Sequence, residues 1–256
     1  MKRVRQEALQ ALLREHGRMT VGELAGNLAV SEATIRRDLH DLRSVAGFER
    51  MHGGAGFNNE TEPPVVARRR QNAAAKKALA RRAAEEIYDG ATIFVGSGST
   101  MAFLAECLAD RRELTVVTNA HNVASELAGA PGVDVVVTGG ALRKGEMSLI
   151  GPIAEGTLRQ MPLEVAFMSV QGITAGDGLT NIFAPEANTD RVVVDLAPRL
   201  VVVAEAYKIG RKAPIGIGPA EAIDLLVTDA RDDDPELRNL AAAGLTLAHA
   251  ADAAAT

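Results

Sequence analysis

Ser31-Glu32-Ala33-Thr34-Ile35-Arg36-Arg37-Asp38-Leu39-His40-Asp41-Leu42 runs without a helix breaker, and its period decides how the first part of the chain is read. Ser31 is a good N-cap. On a helical wheel Ile35, Leu39 and Leu42 fall on one stripe, which must face a core. Arg37, Ala33 and His40 fall roughly opposite, Arg36 lies at the flank, and Ser31 and Thr34 sit near the amino end. Two adjacent arginines exposed on a short helix suit a major-groove reader. A guanidinium makes bidentate bonds to guanine, and small polar side chains at a helix start reach phosphates or base edges. The competing reading is a solvated arginine pair bridging Asp38 or Asp41.

The flanking sequence favours the DNA reader. Upstream, Lys2–His16 has Leu9, Leu12 and Leu13 on one side and ends at Gly17. A second short helix, Val21–Leu28, is capped by Thr20 with Glu23 three residues on, the spacing of a capping box. The turn Ala29-Val30-Ser31 then leads into the patterned helix. Downstream, Phe48-Glu49-Arg50-Met51-His52 alternates and stops at Gly53-Gly54, which suits a two-stranded wing whose Arg50 and His52 lie along a phosphate backbone.

The charge distribution follows the same division. The 256 residues carry a net charge of -5, from 28 Lys/Arg and 33 Asp/Glu, which taken as an average argues against a nucleic-acid binder. Residues 1–56 hold nine basic and seven acidic residues, a balance of +2, while the remainder is at -7. Such asymmetry is expected of a nucleic-acid module joined to something else. Gly53–Pro64 is rich in Gly, Asn and Pro and keeps no period, so it reads as a linker or ordered arm. The expected domains are 1–56, a linker over 57–72, and 73–256. A basic run follows the linker: Arg68, Arg69, Arg70, Lys76, Lys77, Arg81 and Arg82. It is either the solvated face of a helix Ala73–Tyr88 or a set of extra phosphate contacts.

The ordered string Thr20-Val21-x-Glu23-Leu24-Ala25, Val30-Ser31-x-x-Thr34-Ile35-Arg36-Arg37-Asp38-Leu39 and Arg50-x-His52-Gly53-Gly54-Ala55 resembles the winged helix-turn-helix of DeoR-type bacterial transcriptional regulators. One departure is Ala46, where the family usually has glycine and this chain has Gly47 one residue later.

The second region alternates strand and helix, as βαβ units of an α/β fold with a mostly parallel sheet do. Strands are expected at Ala91–Val95, Leu114–Val117, Val133–Thr138, Val165–Val170, Leu200–Ala204 and Leu225–Thr228, with a last apolar run at Leu245–Ala248. Helices are expected at Met101–Ala109, Asn122–Ala128, Pro185–Leu196 and Asp234–Ala243. In such sheets ligands bind beyond the carboxyl ends of the strands. Gly96-Ser97-Gly98-Ser99-Thr100 stands there, before a helix N-terminus, and reads as a phosphate cradle. A tight strand-to-helix turn explains the same residues. Thr118-Asn119, Gly139-Gly140, Gln171-Gly172 and Asp177-Gly178-Leu179-Thr180 occupy comparable positions. Lys208, past Leu200–Ala204, supplies a cation that suits a phosphorylated polyol or sugar.

These clusters, with Asp89-Gly90-x-Thr92-Ile93-Phe94, Gly139-Gly140-x-Leu142-Arg143, Gly151-Pro152 and Lys208-x-Gly210, are similar to the DeoR-type effector domain. The resemblance implies the fold shared with ribose-5-phosphate isomerase and glucosamine-phosphate deaminase, flanked by helices, and sensing of a phosphorylated sugar or related metabolite. It assigns Arg143 to the pocket with the residues above. Departures fall at that pocket: Gly96 replaces an aspartate, Ser169-Val170-Gln171-Gly172 an Ala-Ser/Asp run, and Glu205-Ala206-Tyr207-Lys208 an Asp-Ser/His-Ser-Lys run.

The expected function is therefore a cytoplasmic regulator, a repressor. It binds a double-stranded operator as a homo-oligomer, dimer or tetramer, and responds to a phosphorylated effector. No catalytic residue, cofactor or metal is expected; the five histidines show no paired ligand spacing. Neither a secretory segment nor a membrane span is expected. Two other readings compete. One is a sugar-phosphate isomerase or deaminase using Glu186, Asp177 or Glu205 as base, although effector-binding carboxylates that hydrogen-bond sugar hydroxyls explain the same residues; the other is a second domain that only oligomerises. The lone Cys107 is read as a small core residue.

Overall fold

The computed structural model describes residues 5, 6, 8, 9, 12, 13, 18–42, 48–51, 54–57 and 63–250. The chain divides into two compact units, Met1–Pro63 and Pro64–Thr256.

In the first unit, Arg5, Gln6, Ala8, Leu9, Leu12 and Leu13 are helical. Strand β1 (Arg18–Thr20) runs directly into helix α1 (Val21–Asn27). Thr20 closes the anticipated capping box: its Oγ1 accepts from the Glu23 amide, and its own amide donates to Glu23 Oε2 at 2.7 Å. The turn passes through Ala29 at φ 50°, and Ser31 caps helix α2 (Glu32–Asp41). Ile35, Leu39 and Leu42 are buried with Leu9, Leu13, Val21, Leu24 and Ala55. Beneath the helix, the buried Asp38 carboxylate is held by Arg5 at 2.5 Å.

Gly54 lies not in a linker but in a strand. Strands β2 (Phe48–Met51) and β3 (Gly54–Phe57) form the wing, and β3 also pairs with β1, which makes a three-stranded sheet in the order β1-β3-β2. Loss of period hid β3, because a strand can be built on backbone hydrogen bonds alone where its residues are small. Gly54 faces Thr20, and a Cβ there would lie 2.4 Å from the Met19 carbonyl oxygen. Ala46, Gly47, His52 and Gly53 lie outside the described residues, as does the side chain of Arg50.

The second unit begins earlier than the expected boundary at residue 73. A short helix α3 (Val65–Arg68) buries Val65 and Arg68 in it, and the Val65 amide donates to the Gly145 carbonyl at 2.8 Å. Residues 64–72 are therefore part of the domain rather than linker. Helix α4 (Ala73–Ala84) follows, shorter than anticipated.

Among the described residues this unit is built on a seven-stranded parallel sheet. Its strands are β4 (Thr92–Val95), β5 (Leu114–Thr118), β6 (Val133–Val137), β9 (Val165–Met168), β12 (Leu200–Ala204), β14 (Leu225–Thr228) and β15 (Leu247–His249). Their order is β15-β14-β12-β9-β4-β5-β6. Side chains alternate between two buried faces. Ile93, Val95, Phe167, Val201 and Val203 pack on one side; Phe94, Ala166, Met168, Val202 and Ala204 pack on the other. Burial on both faces explains the near-continuous apolar runs that made the strands readable.

The chain leaves β4 in one direction, through α5 (Ser99–Glu106), β5, α6 (His121–Leu127) and β6. It then returns to the opposite side of β4 with β9. The gap between the carboxyl ends of β4 and β9 is thus a topological switch point, the usual place for a ligand in an open α/β sheet. Smaller elements frame it: the hairpin β7 (Ala141–Arg143) and β8 (Ser148–Ile150), and an antiparallel sheet of β10 (Gly172–Thr174), β11 (Gly178–Asn181) and β13 (Ile215–Gly218). Helices α7 (Pro152–Leu158), α8 (Ala184–Leu196) and α9 (Pro235–Ala242) complete the unit.

Substituting Gly54→Ala forces the wing away from β1. We expect a loss of about 1–3 kcal/mol, the usual cost of overpacking, read as a lowered urea midpoint for the amino-terminal unit with the carboxyl-terminal transition unchanged.

Candidate functional site

The outward face of α2 is as the wheel placed it. Ser31, Ala33, Arg36, Arg37 and His40 are exposed, and Thr34 is half-buried. Arg36 pairs with Glu32 one turn away at 2.8 Å, with both side chains more than half exposed. Such a pair is worth about 0.3–0.5 kcal/mol, so a phosphate or a base can displace it. Arg37 has no ion-pair partner among the described residues. Asp38 is occupied by Arg5, so it does not bridge the arginine pair. The hydroxyls of Ser31 and Thr34 lie 2.9 Å apart at the helix start, and that of Thr20 is engaged in the capping box.

In the second unit, residues from distant parts of the chain converge at the switch point. The Gly96 amide donates to the Phe167 carbonyl at 2.9 Å, which ties the end of β4 to β9. A Cβ at Gly96 would sit 3.3 Å from the Phe94 ring and 3.4 Å from that carbonyl. The strands thus approach closely enough that a side chain here would require the Phe94 ring to shift slightly. Gly98, at φ 119°, leads into α5, whose first turn has no side-chain cap. The free amides of a helix start favour an anion. Ser99 and Thr100 are buried beside them. Lys208, on the turn after β12, reaches into the cleft and donates to Ser169 Oγ at 2.9 Å.

Gly96, Ser97, Gly98, Ser99, Thr100, Gln171, Glu186 and Lys208 together line one cleft. Ser169, from the run already expected at the pocket, joins them, as do four polar residues that the sequence reading did not place there: Arg68, Glu146, Asn181 and Asp190. Arg143 stands behind Glu186. It bonds the Glu186 carboxylate and lies 4.7 Å from the Phe183 ring. Ser148 Oγ donates to Glu186 Oε1 at 2.6 Å, and Ser97 Oγ approaches it at 3.5 Å. Burial, then the neighbouring charge of Glu186, pushes the Asp190 carboxyl well above its ordinary range.

Other expected members serve the fold instead. Thr118 Oγ1 donates to the Val95 carbonyl at 2.6 Å and accepts from the Ala120 amide. Asn119 holds the β8 backbone through Leu149. Gly139 and Gly140 adopt left-handed backbone, and a Cβ at Gly140 would lie 2.7 Å from the Ile150 carbonyl. At Gly172 a Cβ would lie 2.2 Å from the Arg211 carbonyl. Thr180 braces the same region, donating to the Gly172 carbonyl and accepting from the Ala213 amide. Asp177 pairs with Lys212 at 2.5 Å and borders a separate cleft. Glu205 is buried against Lys76 and Asn72, outside the cleft lining.

The basic run divides into four members engaged within the fold and three that are exposed. Arg68 is buried in an ion pair with Glu146. Lys76 is buried too, with Nζ donating to the Arg68 and Gln71 carbonyls at 2.7 and 2.8 Å. Arg69 pairs with Glu106 and Glu126, and Arg82 with Glu86. Arg70, Lys77 and Arg81 are exposed. Cys107 packs against the core half-buried, and burial pushes its thiol up.

A helix-turn-helix with a wing, joined to an α/β unit with a polar cleft at its switch point, defines a DNA-binding regulator with a sensor domain. Comparison with known proteins agrees. The DeoR-like helix-turn-helix domain matches residues 5–61, and the DeoR C terminal sensor domain matches residues 71–230. The HTH-type transcriptional regulator GlpR of Haloferax volcanii is 31% identical over 245 residues, 95% of this chain and 96% of the relative. The glycerol-3-phosphate regulon repressor of Escherichia coli is 29% identical over 88% of this chain and 90% of its own. A solved ribose 5-phosphate isomerase A of Methanocaldococcus jannaschii overlaps 54% of this chain and 55% of that one, with a TM-score of 0.41 and 17% identity. The chain belongs to the DeoR family of transcriptional regulators.

The Asp190 carboxyl is raised in the folded protein, so its ionisation opposes folding once the pH exceeds its unfolded value, and the opposition disappears in acid. Asp190→Asn should therefore raise the melting temperature near pH 7, and the gain should vanish near pH 4, as followed by calorimetry across that range.

Proposed function

We propose that the protein represses an operon of carbohydrate or polyol metabolism, and that a phosphorylated sugar or related metabolite releases it from its operator. The observation that carries this reading is the convergence of Lys208 with the uncapped start of α5 at the switch point. Glycines allow the backbone to approach a phosphate there, Ser97, Ser99 and Thr100 offer hydroxyls, and Lys208 offers charge. The name of the Escherichia coli relative supports a phosphorylated effector.

Arg37 and Arg36 enter the major groove with Ser31, Thr34, Ala33 and His40. Thr20, Arg50 and His52 lie toward the backbone. The effector acts by binding one arrangement of the protein better than the other. Homo-oligomerisation, as dimer or tetramer, presents two reading helices to a repeated operator. No helix among the described residues is long and apolar enough to cross a membrane, in keeping with a cytoplasmic role. The reading calls for no cofactor and no metal.

Binding without turnover is favoured over isomerase chemistry by where the carboxylates stand. Glu186 is committed to Arg143 and Ser148, Asp177 to Lys212, and Glu205 packs against Lys76. A general base must reach the substrate proton, and these three do not share one cleft.

Two measurements test the reading. Arg37→Ala should remove operator preference in gel-shift titrations, at about 1–3 kcal/mol for each bidentate arginine–base pair that is removed; specificity that survives the change would reassign the reading helix. A panel of phosphate esters should contain compounds that raise the melting temperature and release DNA, with both effects abolished in Ser99→Ala and Lys208→Ala. No response across the panel would favour a second domain that only oligomerises.

A further inference from the structure

Glu186 and Asp190 lie one turn apart in α8, so their side chains leave the same face of the helix, and both line the cleft. Glu186 is matched: Arg143, Ser148 and Ser97 surround its carboxylate, and it sits in the first turn, where negative charge is favoured. Glu146 is matched by Arg68.

Asp190 stands apart from them. Its Oδ2 accepts from Asn181 Nδ2 at 2.7 Å. Asn181 is itself locked, because its Oδ1 accepts from the Ile182 and Phe183 amides at 2.6 and 3.2 Å. The Asp190 carboxyl is therefore positioned, yet no Lys or Arg among the described residues lies within ion-pair distance of it. The charged groups that face it are Glu186 on its own helix, with Glu146 and Arg143 from the β7–β8 hairpin region. Across the cleft stand Arg68 and Lys208, bonded to Glu146 and Ser169.

This inference rests on the phosphate reading of the cleft. With a phosphate at Gly96–Thr100 and Lys208, Asp190 is an oriented acid that the surrounding protein leaves without a cation. We propose that the effector carries a protonated amine remote from its phosphate, as an amino sugar phosphate does, and that Asp190 is the specificity-determining residue that binds it. The ammonium group supplies the missing positive charge, and a hydroxyl at the same place brings none.

The test compares D-glucosamine 6-phosphate, D-glucose 6-phosphate and inorganic phosphate on the full chain by calorimetric titration. The amino ester should bind about tenfold or more tightly than the neutral one, as expected for a hydrogen bond to a charged group. That preference should shrink as the pH falls and Asp190 is protonated, the glucose ester serving as control for titration of the phosphate itself. In Asp190→Asn the preference should collapse. If inorganic phosphate binds but the two esters bind no differently from each other, or the preference persists in Asp190→Asn or is unchanged by pH, the amine assignment is overturned and the phosphate reading stands. If none of the three binds, both are overturned.

Discussion

The hydrogen bond from the Gly96 amide to the Phe167 carbonyl fixes the sensor unit's chemistry. It holds the ends of β4 and β9 side by side where the winding of the sheet reverses. Two segments that leave the sheet there, Gly96–Thr100 and Ser169–Gln171, then face each other across one cleft. Lys208 enters from the next strand over, β12, which pairs with β9. A side chain at position 96 would press on Phe94 and on the very carbonyl that accepts this bond. An aspartate here, as the family usually has, would need the Phe94 ring to give by a few tenths of an ångström. The negative charge it would have brought is absent from the loop, while Glu186, Glu146 and Asp190 supply carboxylates from the other wall.

Arg68 and Glu146 show a second dependence. They lie 78 residues apart and form a buried pair at the edge of the cleft. Breaking such a pair by removing one member leaves an uncompensated buried charge, at a cost of about 3–5 kcal/mol. The segment 64–72 is fastened to the sensor by this pair and by Val65, with Lys76 closing the Arg68 and Gln71 carbonyls. Charge that looks in sequence like a phosphate-binding stripe is used to hold the domain's own entry segment.

What is legible from sequence follows from period. Helix α2 shows a clean stripe of Ile35, Leu39 and Leu42, and the parallel strands show as β-branched runs because both faces are buried. Elements without period are not legible: β3, which opens on Gly-Ala-Gly, and the three-residue strands of the β7–β8 hairpin and of β10. At the cleft, the glycine and hydroxyl clusters at strand ends look alike in sequence, although Gly140, Gly172, Thr118 and Thr180 answer to backbone crowding and to neighbouring amides. Members that act from far away in the chain, Arg68 and Glu146, carry no local signal. Asp190 does carry one, its spacing of four from Glu186 on a helix that the sequence already predicts.

The amino-terminal unit separates two tasks on one helix. Side chains that fold it point inward to Leu9, Leu13 and Leu24, and Asp38 is anchored to Arg5. Ala33, Arg37 and His40 are exposed, and among the described residues Arg36 pairs with the exposed Glu32. Substitutions on the outer face therefore leave the stability of the module nearly untouched, whatever they do to the proposed contacts with bases. A duplicated copy of this gene has an open route to a new set of target promoters, one exposed position at a time, without passing through an unfolded intermediate sequence.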